Sequence, residues 1–99
     1  MAEFGPPVGP DTGVKRPTIC LGNRNGETCP TEWLEEIADL FKQYFDDVQI
    51  NRPFSGGHII ASHYHEIPWI QLEFSRTNEF SCEYKSEAVY HIFGKWVQI

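Results

Sequence analysis

The sequence predicts an α/β domain, with a small mixed or mostly parallel sheet of about four strands and two amphipathic helices. Two stretches, near residues 30–45 and 84–97, repeat apolar residues at the spacing of a helix that buries one face. Short apolar runs rich in β-branched residues precede the first stretch and separate it from the second. Strands and helices that alternate in this way are typical of α/β proteins.

The first 17 residues are predicted to form a Pro/Gly-rich arm, and residues 18–99 a single α/β domain. The arm holds four prolines and three glycines, which oppose regular secondary structure. An alternative for its first residues, Met1–Phe4, is that they derive from a cloning vector. Thr18–Leu21 follows as the first strand and ends at a turn rich in glycine and asparagine.

The first helix is predicted to begin near Pro30, with Thr28 or Cys29 as its cap, and to end at Asp46. Seven residues form its apolar face: Trp33, Leu34, Ile37, Leu40, Phe41, Tyr44 and Phe45. Val48–Asn51 is the second strand. Because one helix connects the first two strands, we expect these strands to pair in parallel.

The second half of the chain is predicted to hold two more strands and the last helix. His58–Ser62 is a third extended run, which follows a turn at Ser55–Gly57, and Trp69–Ser75 is the fourth strand. Tyr84–Val97 is the last helix. Its apolar face is formed by six residues: Ala88, Val89, Ile92, Phe93, Trp96 and Val97.

Composition and charge exclude several classes of partner. The 99 residues carry a formal net charge of −6 with no basic cluster, so we expect no nucleic-acid partner. No apolar run approaches the roughly 18 residues of a membrane-spanning helix, so we expect no membrane partner. The three cysteines lack zinc-ribbon spacing and no signal peptide is recognised, which predicts reduced thiols in a cytoplasmic protein.

Glu73 is the leading catalytic candidate in the sequence. Alternation along the fourth strand gives one fully apolar face and one face that includes two polar residues. The two faces are Ile70, Leu72 and Phe74, and Trp69, Gln71 and Glu73. A carboxylate on a rigid strand beside an apolar wall suits a general base. The alternative is a carboxylate that is solvated or paired with Arg76 or Lys85.

Other residues are candidates for a metal site, an anion site or a reactive thiol. No metal is assigned, but four residues are candidate ligands: His58, His63, His65 and Cys82. The two-residue spacing of His63 and His65 would place both rings on one side of an extended segment. Gly56 and Gly57 form either a plain turn or a backbone nest for an anion. Cys29, near a helix N-terminus, is either structural or reactive.

Five stretches, in order along the chain, resemble the C-terminal portion of the N-formylglutamate amidohydrolase family. They are Pro6–Gly13, Leu21–Cys29, Asn51–Gly57, His63–Tyr64 and Leu72–Arg76. The resemblance fades in the last helix. It implies a zinc-carboxypeptidase-like α/β fold and hydrolysis of an amide bond by a zinc-bound water.

The resemblance also implies roles for four residues. Glu73 matches the general base of the family, and His63, Tyr64 and Arg76 match residues near the substrate pocket. No residue matches the family's zinc ligands, which lie in a more N-terminal region, so we expect no cofactor in this chain alone. The family also usually has an arginine and a glycine where this chain has Ser62 and His65.

Three functions follow from this combination. The favoured one is a C-terminal module of such an amidohydrolase that is not a competent hydrolase alone. The alternatives are a free-standing binding or self-association module, and a rebuilt histidine-based metal site. A shortened fold leaves a sheet edge uncovered, which predicts a homo-oligomer or pairing with a missing N-terminal partner region.

Overall fold

The computed structural model describes residues 1–9 and 12–97, so Pro10 and Asp11 of the predicted arm and residues 98–99 of the predicted domain lie outside the described residues. Six elements follow one another along the chain. They are β1 (Ile19–Gly22), α1 (Thr31–Phe41), β2 (Val48–Ile50), α2 (His58–His63), β3 (Gln71–Phe74) and α3 (Cys82–Val97). The strands form one sheet in the order β2-β1-β3.

The sheet is mixed, which is one of the two predicted arrangements, mixed or mostly parallel. β1 pairs with β2 in parallel, with Ile19 opposite Val48, which confirms the predicted crossover through α1. β1 pairs with β3 in an antiparallel register that places Ile19 opposite Phe74. The described residues therefore form a small α/β fold with β1 at the centre of the sheet.

The predicted third strand is wrong, because residues 58–63 form the short helix α2. The described residues consequently contain three strands and three helices, rather than about four strands and two helices. Ile60 is buried in α2 and occupies the space that a Cβ on Gly56 would fill. Packing of one isoleucine against a glycine backbone thus outweighs the weak β preference of a short apolar run.

Helix α1 is shorter than predicted at its C-terminal end. It ends at Phe41, and the next residues form tighter turns in which Gln43 donates to Leu40 O and Tyr44 to Phe41 O. Its N-cap is Pro30, without a side-chain cap, rather than Thr28 or Cys29. The Thr28 hydroxyl instead donates to the Trp69 carbonyl at 2.8 Å.

The core lies between one face of the sheet and the helix pair α1 and α3. Ile19 and Leu21 of β1 are fully buried against residues of both helices, including Phe41 and Ile92. The rings of Trp33 and Trp96 join the two helices, with centroids 5.8 Å apart. The other face of the sheet is left for the segment between β2 and α2.

The N-terminal arm lies along the outer edge of β3. The Met1 amine donates to Phe74 O at 2.8 Å, and Arg76 N donates back to Met1 O at 2.9 Å. Further along the arm, Phe4 and Lys15 form an antiparallel bridge. In the described residues, no helix has both the length and the apolar character needed to cross a membrane.

Candidate active site

A cleft of about 410 Å³ lies on the sheet face opposite α1 and α3. Gln71 and Glu73 of β3 line it, and Pro53–Gly57 forms the other wall. The antiparallel register places Cys20 opposite Glu73 and Gly22 opposite Gln71, so these four residues share one face of the sheet. Two paired strands therefore hold Glu73 in position within the cleft.

The predicted alternation of β3 is confirmed by what its side chains contact, since all four of its residues are half-buried. Leu72 and Phe74 pack against the core, whereas Gln71 and Glu73 line the cleft. The alternative partner Lys85 is engaged elsewhere, because its Nζ donates to Ser75 O at 3.0 Å. Glu73 thus points away from the core that anchors its own strand.

Three buried side-chain atoms in the described residues have no hydrogen-bond partner: Arg24 Nε, Trp69 Nε1 and Glu73 Oε2. Buried polar groups in folded proteins are normally paired, so such atoms call for a ligand or a water molecule. Of the three residues, Glu73 lines the cleft itself. Its Oε2 is buried and accepts no hydrogen bond from a donor within the described residues.

The cleft wall depends on a close approach between two backbone segments. A Cβ on Gly22 would lie 2.5 Å from the Ser55 carbonyl oxygen, so only glycine fits without displacement. Arg24 N donates to the same oxygen at 2.7 Å. On the other side, Gly57 N donates to Gln71 Oε1 at 2.8 Å, which uses an amide that an anion-binding nest would require.

Asn23 and Asn51 join the loops around the cleft; both lie in family-like stretches of the sequence, but no pattern predicted that their side chains pair. Asn51 Oδ1 accepts from the backbone N–H groups of Asn23 at 3.0 Å and Asn25 at 3.4 Å. Asn51 Nδ2 donates to Asn23 Oδ1 at 2.9 Å, and Asn23 is fully buried. Asparagine in a turn is already explained by turn propensity, so only the tertiary structure shows this pairing.

Two of the three unpaired cysteines are buried: Cys20 lies opposite Glu73 in the sheet, and Cys29 packs in the hydrophobic core. Burial raises the pKa of the Cys20 thiol, and the charge of Glu73 adds to the rise. The Cys20 thiol donates to Phe54 O at 3.1 Å. Burial also raises the pKa of Cys29, which opposes the reactive interpretation of that residue and favours the structural one.

Cys82 is expected to react with a thiol reagent such as DTNB at least about tenfold faster than Cys20 or Cys29, because it is exposed and they are buried. The measurement is the number of thiols modified with time, in native protein and in denaturant. Fast native modification of all three thiols would contradict this burial.

The raised pKa of the Cys20 thiol means that the folded protein holds this proton more tightly than the unfolded chain does. The free energy of unfolding should therefore fall as the pH rises past the pKa range of an ordinary thiol.

The predicted substrate-pocket residues lie outside the lining of the Glu73 cleft. His63 ends α2, where its Nδ1 lies 2.6 Å from Glu66 Oε1 and holds the pKa of Glu66 below its ordinary value. Tyr64 follows as the exposed C-cap. Arg76 is exposed beyond β3, on a different hollow near α3. Their pocket roles stay predictions.

The residues proposed as metal ligands are dispersed. His58 Nε2 lies 3.2 Å from the Ser62 hydroxyl, whereas Cys82 begins α3. Within residues 1–9 and 12–97, no three His, Cys, Asp or Glu side chains are placed to hold a metal ion. Zinc sites need three or four protein ligands, so the described residues do not fit the zinc that the family resemblance implies.

A larger hollow, of about 900 Å³, lies between the C-terminal halves of α1 and α3. Its lining includes Leu40, Tyr44 and Phe93, which also pack against the core. None of its described lining residues has a buried polar atom without a partner. The smaller cleft at Glu73 is therefore the better candidate for a site of chemistry.

Comparison with known protein families identifies the chain. The family model described as N-formylglutamate amidohydrolase matches residues 1–78, which is more than half of the chain. The chain belongs to the N-formylglutamate amidohydrolase family. Searches of curated proteins and of solved structures gave no match.

The N-formylglutamate amidohydrolase match covers every element that forms the cleft. It includes β1, the Pro53–Gly57 wall and β3 with Glu73, and it ends before helix α3. It also includes the arm from Met1 onward, so the first residues match the family along with the rest. The recognition from five sequence stretches is thereby confirmed.

Proposed function

We propose that this chain is a C-terminal module of an N-formylglutamate amidohydrolase, in which the Glu73 cleft binds the substrate and Glu73 is the general base. One observation carries the proposal: Glu73 Oε2 is buried, with no hydrogen-bond partner among the described residues, in a cleft walled by Pro53–Gly57. Membership of the amidohydrolase family supplies the class of substrate, an N-acylated amino acid.

Glu73 suits proton transfer because its position is fixed while one oxygen remains free. The strand pairing with Cys20 holds the backbone, and Phe74 next to it anchors β3 in the core. A carboxylate placed in this way can accept a proton from a water molecule that attacks an amide carbonyl. Gln71 Oε1 accepts a hydrogen bond from Gly57 N. The side-chain NH₂ of Gln71 can then donate to a bound group and orient it.

We further propose that the chain alone does not hydrolyse N-formylglutamate. In zinc hydrolases the metal lowers the pKa of a bound water and polarises the carbonyl group. The described residues offer no group of three ligands for such a metal. We therefore assign only the base and the substrate cleft to this chain, and a partner region would have to contribute the rest. Self-association likewise stays a prediction.

Titration of the full chain with N-formyl-L-glutamate tests where the substrate binds. We expect the backbone amide signals of Gly56 and Gly57 to shift in a ¹H–¹⁵N NMR spectrum, together with the side-chain amide of Gln71, because these groups line the cleft. Shifts confined to Tyr44 and Phe93, in the hollow between α1 and α3, would contradict the proposed site.

Formate release tests the proposal that the chain is inactive alone. We expect no release above the buffer rate, with or without added zinc. Glu73→Gln is the decisive variant, and Glu87→Gln, an exposed glutamate on α3, is its matched control. Chelator-sensitive turnover lost in Glu73→Gln and kept in Glu87→Gln would overturn the inactive assignment, although it would support Glu73 as the base.

A further inference from the structure

We propose that Arg24 is a specificity-determining residue of the cleft, and that its guanidinium binds a carboxylate of an anionic substrate. The inference rests on the proposed function, because it assumes that the Glu73 cleft is the substrate site. The sequence predicted His63, Tyr64 and Arg76 as substrate-pocket residues and gave Arg24 no role; Arg76 lies on a different hollow.

Arg24 contacts the cleft wall through both its backbone and its side chain. Its N–H donates to Ser55 O at 2.7 Å. Its Cγ lies 3.0 Å from the position of a Cβ on Gly56, so the aliphatic part of the side chain packs against that glycine. Ser55 and Gly56 both line the cleft, so Arg24 lies directly behind the wall and is not itself one of the lining residues.

The backbone of Arg24 is held in an uncommon conformation. Its φ is 50°, in the left-handed region that non-glycine residues seldom adopt. The amides on either side, of Asn23 and Asn25, both donate to Asn51 Oδ1. This double contact fixes the turn that carries Arg24 and so reduces the ordering cost of binding through its side chain.

The guanidinium has an unused donor. Arg24 Nε is buried and has no hydrogen-bond partner in the part of the chain that the structure describes, although the side chain as a whole is 39% exposed. The carboxylate of Glu27 lies 3.9 Å from Nε, which is too long for a hydrogen bond. Because Nε is buried, an incoming carboxylate would have to enter through the exposed part of the side chain to supply the missing acceptor, and arginine binds carboxylates through paired N–H groups.

Charge around the cleft also favours an anion. The chain has a net charge of −6 and only four arginines, yet three of them adjoin the Pro53–Gly57 wall. Besides Arg24, the Arg16 guanidinium carbon lies 4.9 Å from the centre of the Phe54 ring, and Arg52 precedes Pro53. Arg16 and Arg52 line a separate hollow together with Pro53, so their positive charge lies behind the same wall rather than inside the cleft.

Two ligands separate charge recognition from shape recognition. One is N-formyl-L-glutamate, and the other is N-formyl-L-glutamine amide, which has nearly the same shape without carboxylates. In the full chain, Arg24→Gln is expected to raise the Kd for N-formylglutamate at least about tenfold, the factor for one charge-assisted hydrogen bond. The Kd for the neutral amide should stay unchanged. The matched control is Lys95→Gln, which removes an exposed cation on α3.

Two further variants strengthen the test. Glu27→Gln removes the competing carboxylate and is expected to tighten N-formylglutamate binding. Arg24→Lys keeps the charge but loses the planar fork, and it should weaken N-formylglutamate binding measurably. If circular dichroism shows that Arg24→Gln is unfolded, the Kd of Arg24→Lys for N-formylglutamate decides the test.

The possible results distinguish the two proposals. If the wild-type chain shows cleft shifts with N-formylglutamate but neither Arg24 variant changes its Kd, the role of Arg24 is overturned and the proposed function stands. Equal weakening of the charged and neutral ligands would also overturn it, because that pattern indicates a structural role. If neither ligand shifts the Gly56 and Gly57 amides of the wild-type chain, both proposals fail together.

Discussion

Phe41→Ala is expected to lower the free energy of unfolding by about 3–5 kcal/mol, the range for truncation of a fully buried phenylalanine. Phe41 has no exposed surface, and it ends α1 at the centre of the core. Its ring lies 6.4 Å from that of Phe74 and 6.3 Å from that of Phe93, measured between centroids. Alanine would leave a cavity where α1, α3 and β3 meet.

Phe41→Ala should also perturb the candidate site. Phe74 follows Glu73 in β3, so loss of the Phe41 contact removes support from the strand that carries the proposed base. Urea unfolding followed by circular dichroism measures the stability change. Tyr90→Ala is the control, because Tyr90 is 78% exposed on α3, and we expect a change within about 0.5 kcal/mol. Similar losses in both variants would contradict the described core.

Gly22→Ala is expected to destabilise the protein by about 1–3 kcal/mol, the usual cost of forcing extra atoms into a packed site. The added methyl group would lie 2.5 Å from Ser55 O and 2.8 Å from Ser55 C. Both are backbone atoms, so a side-chain rotation cannot relieve the clash. The wall formed by Pro53–Gly57 would have to move away from β1.

This movement should also weaken the site beyond its effect on stability. Displacement of Ser55 breaks the 2.7 Å bond that its carbonyl accepts from Arg24 N, so the cleft and its arginine separate. We expect Gly22→Ala to lose binding of N-formyl-L-glutamate under conditions in which the chain is still folded. Calorimetry or NMR titration at low temperature measures this loss.

Gly94→Ala is the matched control for the glycine substitution. Gly94 lies inside α3, and a Cβ there meets no atom within 4 Å. Alanine in a helix interior is favoured over glycine, so the control should gain about 0.5–1 kcal/mol of stability. Opposite signs for Gly22→Ala and Gly94→Ala are the expected result. A stabilising effect at both positions would show that the backbone approach at Gly22 is not as described.

The long periodic helices and the short strands β1, β2 and β3 were predicted near their positions, whereas the short helix α2 was predicted as a strand. α1 and α3 occur near their predicted positions because seven and six apolar residues repeat at helical spacing. The parallel pair β1 and β2 follows from the single helix that joins them. By contrast, the six residues of α2 carry too little periodicity to distinguish a helix from a strand. Ile60 decides the question through its contact with Gly56.

The cleft was only partly visible in the sequence. Glu73 could be recognised from the sequence because it is a carboxylate within an otherwise largely apolar strand. The local sequence is enough to show this, without the tertiary contacts of the residue. The partners of the cleft come from distant parts of the chain: Asn23 pairs with Asn51, and Ser55 meets Gly22. Each of these residues also suits a turn by local propensity alone, so local pattern gives no reason to suspect a second role.

The sequence by itself determined the family, the α/β class and the strand position of Glu73, because these depend on motif order and on local periodicity. Only the tertiary structure decided that Arg24 packs behind the Pro53–Gly57 wall, whereas Arg76 lies on a different hollow, and that His63 and Tyr64 lie outside the lining of the cleft. The physical reason is that a site is built from contacts between segments far apart in the chain. Such contacts depend on strand register and on how closely two backbone segments approach each other. The periodicity of apolar residues in the sequence does not report either of these.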